Sequence, residues 1–201
     1  MKAALGLRTH SGWAAAVVIS GSRGAIEVLD RRRIELGDPS IAAPKQPYHE
    51  AEGQPLPAAR RIIDRYSADA VRRAMEAFRA LADGLEKKGY ALDRCGLLVS
   101  SGRPLPDLAS ILASHALIHS ADGELFREAL AQAASRQRWM TLRIAEKELP
   151  AKAAAALRAP ASELQSRIQT AGKDLGPPWT QDQKFATLAA WVALARRSSK
   201  F

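Results

Sequence analysis

Cysteine is nearly absent: Cys95 stands alone in 201 residues, which excludes an intrachain disulfide. No apolar run approaches the roughly 18 residues of a membrane-crossing helix, so neither a transmembrane segment nor a membrane partner is expected. The opening run Met1 to Arg8 is too short for a secretory signal, and the expected location is the cytoplasm. Neither a GxxxxGK[ST] loop nor a GxGxxG turn after a strand is present, which removes two familiar phosphate cradles. Acids are also in deficit. Against 30 Lys and Arg stand 21 Asp and Glu, a net charge of +9 that favours polyanionic partners through counterion release, either nucleic acid or a phosphorylated small molecule.

What is present describes a soluble globular protein. With 47% hydrophobic and 25% charged residues, the chain can bury one substantial core, read here as a single domain over 1–201. Three β-rich runs, Lys2 to Arg8, Trp13 to Ser20 and Ala25 to Leu36, are separated by short turns carrying Gly12, Gly21 and Gly24, which implies an antiparallel meander. Residues 37–57 are rich in proline and read as an irregular loop. Apolar residues spaced by three and four from Ala58 to Lys88 predict a long amphipathic helix, in which Ser67 could recap a second segment. Arg94 to Ser100 reads as a buried central strand. Helices follow at Leu105 to Leu117 and Ala121 to Arg136, with Ser120 as the cap between them, and Trp139 to Ile144 is a fifth strand. Helices complete the part from 151 to 201, the last capped by Thr180.

This order, βββ-α-β-α-β-α, resembles the ribonuclease H-like fold: an α/β mixed five-stranded sheet with helices on both faces. Leu5-Gly6-Leu7 in the first strand, the turn at Gly12, the strand ending Ala16-Val17-Val18-Ile19 and the final helix from Asp182 to Ala189 look most like the RuvC-like resolvase branch. The resemblance implies carboxylates holding two divalent cations on a scissile phosphate. It places the first acid at the end of strand one, where this chain has Arg8. The next belongs at the end of strand four, where the chain reads Val99-Ser100-Ser101. An acid pair belongs at the final helix, where Asp182 stands with Phe185 three residues on. The resemblance therefore implies a degenerate nuclease site.

Four histidines offer other chemistry. His115 and His119 are four apart, a spacing that places both imidazoles on one face of a continuous helix, with Glu124 or Glu50 as an available carboxylate. The same spacing is also met in helices with no site at all, and the metal, if any, is left unassigned. His115, His119 and Glu124 are the candidate catalytic groups, as metal ligands or proton carriers. Ser100, Ser101 and Arg103 follow a buried strand, where open α/β sheets bind ligands, and the fold places His10 and His49 close by. Arg31, Arg32 and Arg33 read as a solvated edge, and Cys95 as a buried apolar group.

Three functions stand side by side. The first is a ribonuclease H-like protein without the nuclease carboxylates that binds nucleic acid or a phosphorylated ligand. The second is a hydrolase or metalloenzyme built on the histidines, and the third a structural protein-interaction subunit. The sequence names no cofactor, does not decide between enzyme and binder, and gives no oligomeric state.

Overall fold

The structure is a computed structural model describing residues 1–38, 40, 45–100 and 104–196. Strands β1 (Lys2–His10), β2 (Trp13–Gly21) and β3 (Ile26–Glu35) form the expected meander, followed by α1 (Pro47–Ala51) and α2 (Leu56–Glu86). Strand β4 (Ala91–Val99) leads through α3 (Leu108–Leu112) and α4 (His115–Arg136) to β5 (Met140–Ala145). Three helices then close the described chain: α5 (Leu149–Leu157), α6 (Ala161–Ala171) and α7 (Gln181–Ala195). The sheet order is β3-β2-β1-β4-β5. β1 pairs antiparallel with β2 and parallel with β4, and β4 pairs parallel with β5, so the carboxyl ends of β1, β4 and β5 share one edge.

Alternation along the strands divides two cores. Ala3, Leu5 and Leu7 of β1 face α2 and α4, together with Cys95 and Leu97 of β4. Ala4 and Leu98 face the opposite layer of α5, α6 and α7. In α2 the buried residues Ile63, Tyr66, Ala70, Val71, Ala74, Phe78 and Leu81 follow the helical spacing, and Phe78 meets Trp139 with ring centroids 5.0 Å apart. Ile62 and Met75, which share the three-and-four spacing, are only partly buried and pack at its flank.

The helices differ from the sequence reading in several places, and the one expected from Leu105 to Leu117 is confined to Leu108–Leu112. α2 passes through Ser67 without a break, because the buried stripe continues on both sides of it. α4 likewise passes through Ser120, whose hydroxyl donates to the Ala116 carbonyl within the helix, and Ser114 takes the N-cap position. Inside the expected loop 37–57, α1 forms with Pro47 in its first turn. Among the described residues no helix is long and apolar enough to cross a membrane.

Candidate functional site

Two polar clusters lie at the carboxyl edge of the parallel strands, one on each face of the sheet. The first is built on β1. Arg8 has the strand parity that faces α7. It grips Glu146, just beyond β5, through Nε (3.0 Å) and Nη2 (2.7 Å), and Nη1 donates to Asp182 Oδ1 at 2.6 Å. His10 Nε2 approaches the same Asp182 oxygen at 2.8 Å. The bidentate fork is the arrangement that makes a guanidinium–carboxylate bond strong and directional. Bonding to Glu146 raises the Arg8 pKa above its ordinary value, against the opposing effect of burial, and Asp182 adds to the rise. For Asp182, burial pulls the carboxyl upward, but the bonds from His10 and Arg8 together hold it below the usual range.

Asp182 is placed there by the start of α7. Thr180 caps the helix, its side chain accepting from the Asp182 amide, and Gln183 completes a capping box. Ahead of the cap, Arg31 of β3 donates to the carbonyls of Leu175, Gly176, Pro177 and Pro178 and ties that segment to the sheet. Arg31 therefore does more than line a solvated edge. Across the neighbouring strands the surface continues as a stack: the His10 ring lies on Trp13 at 4.3 Å and 10°, and the Arg33 guanidinium lies 4.0 Å from the Trp13 ring centroid.

The arrangement does not fit a pair of divalent cations. Both oxygens of Glu146 and one of Asp182 are already taken by the Arg8 guanidinium. Phe185, where a further acid is implied, instead has its ring centroid 5.1 Å from the Arg8 guanidinium carbon. A fixed positive charge on a guanidinium–aromatic contact stands where the resemblance puts cation ligands.

The second cluster sits on the α2/α4 side. His115 and His119 share one face at the start of α4, with their Nε2 atoms 3.1 Å apart. His49 of α1 comes to them, its ring centroid 5.4 Å from that of His115 and 4.5 Å from that of His119. One ligand nitrogen from each of the three lies within 4.8 Å of the others. Behind His49 stands Asp122, 2% exposed, whose Oδ2 meets His49 Nδ1 at 2.5 Å and whose Oδ1 accepts the Tyr48 amide at 2.7 Å. Burial pushes the Asp122 carboxyl up, against the bonds from Tyr48 and His49. Glu52 Oε1 is 4.0 Å from His115 Nδ1.

The structure thus groups His49 with His115 and His119 and takes His10 to the other cluster. Glu124 turns to Arg127 at 2.9 Å, and Glu50 bonds to Tyr66 and Arg65. Ser100 is exposed at the end of β4, while Ser101 and Arg103 lie outside the described residues. Asp122, Glu52 and Glu146 are additions that the sequence reading did not make. Asp122 had a signal: a carboxylate three residues after His119, flanked by the buried Ala121 and Leu125, lies on a helix face that ordinarily excludes charge.

No protein-family model matches the chain, and no curated protein matches it in sequence. Solved structures do. Thermus thermophilus RuvC in complex with Holliday junction substrate aligns with a TM-score of 0.53 and 11% identity, over 96% of this chain and 92% of that one. A second Thermus thermophilus RuvC structure gives 0.52 and 12%, over 94% and 92%. At such identity the likeness is one of architecture alone: the mixed five-stranded sheet with helices on both faces is a RuvC-like, ribonuclease H-like fold.

Proposed function

We propose that the protein binds nucleic acid at the carboxyl edge of β1, on the α7 side, and does not cut it by two-metal chemistry. The observation that carries this reading is the Arg8 guanidinium held between Glu146 and Asp182. Two-metal cleavage needs converging carboxylate oxygens free to hold cations. Here those oxygens face an internal cation that cannot deprotonate.

Binding rests on charge and surface chemistry. The net charge of +9 draws a polyanion to the molecule from a distance, and Arg33, which is also paired with Glu35, forms with Trp13 and His10 a partly exposed row of guanidinium and aromatic rings beside Arg8. Beside Phe185 a cavity of about 540 Å³ carries Gln165, Gln181 and Lys184 on its walls, groups suited to phosphate and sugar oxygens. The RuvC structure that shares this fold was solved with a Holliday junction, which makes branched DNA the first substrate to offer.

The test is fluorescence anisotropy with a labelled four-way junction, a duplex and a single strand, each over a series of salt concentrations, with a parallel cleavage assay in magnesium and manganese. The expected result is affinity for at least one of these that falls steeply with salt, weakened by Arg33→Glu, with every strand intact. Absence of salt-dependent binding to all three, or magnesium-dependent cleavage lost in Asp182→Ala, overturns the proposal.

A further inference from the structure

The histidine cluster on the opposite face is independent of that interface and has a chemistry of its own. We propose that His49, His115 and His119 form a binding site for one divalent transition-metal ion of the zinc class, with Asp122 as the residue that positions His49.

The ligand geometry comes from two short pieces of chain. His115 and His119 are one helical turn apart, the separation at which helix-borne histidines ligate zinc from one face. That geometry exists because α4 is continuous through Ser120. The third imidazole comes from α1, in the segment that joins β3 to α2. A tetrahedral zinc ion with imidazole bonds near 2.0–2.1 Å sets its ligand nitrogens roughly 3.3 Å apart. The His115 and His119 Nε2 atoms already stand at 3.1 Å, and one ligand nitrogen from each of the three lies within 4.8 Å of the others. Both helix-borne side chains are exposed and free to rotate the small remaining distance.

Asp122 is the second observation that points to an ion. A carboxylate 2% exposed in the interior of a helix is costly to bury, and both of its oxygens are used to hold α1. Accepting from His49 Nδ1 sets the tautomer and leaves Nε2 with the lone pair that a metal ion can use. A carboxylate behind a histidine, orienting it and raising its basicity, is the recurring outer layer of zinc sites. Three neutral imidazoles select for zinc, cobalt, nickel or copper over magnesium, which prefers oxygen. Glu52 lies 4.0 Å from His115 Nδ1, behind that ring as Asp122 is behind His49, and the fourth position falls to water. Cys95 takes no part, being wholly buried in the sheet.

The experiment uses the full chain without a histidine tag, stripped with EDTA and returned to metal-free buffer. Cobalt(II) is titrated in, and its visible absorption is followed, then reversed by competition with zinc. Bound zinc is counted by mass spectrometry of the metal. One ion per chain is expected, with the absorption of four- or five-coordinate cobalt and no displacement by magnesium. His119→Gln and the double variant His115→Ala, His119→Ala, both at exposed positions, should weaken binding more than 100-fold with unchanged circular dichroism. Asp122→Asn should weaken it about 10- to 100-fold and shift the cobalt spectrum. Glu124→Gln should leave it unchanged, since that carboxylate faces Arg127. Cobalt bound no more tightly by the wild-type chain than by the double variant overturns the site.

Discussion

Gly6 and Gly96 stand opposite one another in the parallel pair of β1 and β4, and α7 lies directly on them. A Cβ at Gly6 would come within 1.8 Å of the Ala186 carbonyl oxygen, and one at Gly96 within 2.2 Å of the Ala189 oxygen. The two missing side chains let helix backbone rest on strand backbone, and this close seat brings Asp182 to Arg8. Gly6→Val cannot be absorbed by rotating a side chain, because the obstacle is main chain. We expect it to cost about 3 kcal/mol or more, measured by urea unfolding, with Gly96→Ala close behind. A loss below about 1 kcal/mol would mean that α7 sits farther from the sheet.

The strands were legible because their information is local. Glycine turns, alternation and the apolar run at Arg94 to Val99 gave five strands, and the resemblance supplied their order. His115 and His119 were visible by spacing alone. What stayed hidden lies far apart in the chain: Arg8 meets Glu146 across 138 positions, and His49 meets Asp122 across 73. Periodicity says nothing about such pairs. Ser120 misled for a related reason, since a serine hydroxyl can cap a helix or bond back inside one, and the choice rests with the packing of its neighbours Ile118 and Ala121.

Arg31 sits on the edge strand, and its guanidinium gathers four carbonyls of the segment before α7. Arg31→Met keeps the stem and removes the donors. The expected cost is about 1–2 kcal/mol, discounted for the solvent around the guanidinium, with faster amide exchange at Trp179 and Thr180 than at β4. Uniform acceleration across the molecule would show that Arg31 has no local hold.

Cys95 is wholly buried between β1 and β5, and burial pushes its thiol up to about 12. The reactive thiolate is thus suppressed at neutral pH. A thiol reagent at pH 8 should leave the folded chain unmodified and label one cysteine once urea unfolds it. Rapid labelling without denaturant would mean that the sheet opens under native conditions.

Arg8 and Asp182 predict both an acid dependence and a gain of function. The folded-state pKa of Asp182 is depressed, so its stabilising contribution is complete above the unfolded value near 3.9 and is lost as pH falls through the folded one. Arg8→Ala removes one of the two donors behind that depression. Because the pair is partly exposed, with side chains 21% and 22% accessible, the cost at pH 7 should be about 1 kcal/mol and should shrink below pH 4. Arg8→Asp goes further, replacing the internal cation by a third carboxylate beside Glu146 and Asp182. Like charges then repel, and stability at neutral pH should fall more than in Arg8→Ala. Hard divalent cations relieve that repulsion by binding carboxylate oxygens. Millimolar manganese should therefore raise the melting temperature of Arg8→Asp and leave that of Arg8→Ala nearly unmoved at the same concentration. Equal responses in the two variants would show that the guanidinium does not occupy a latent cation site.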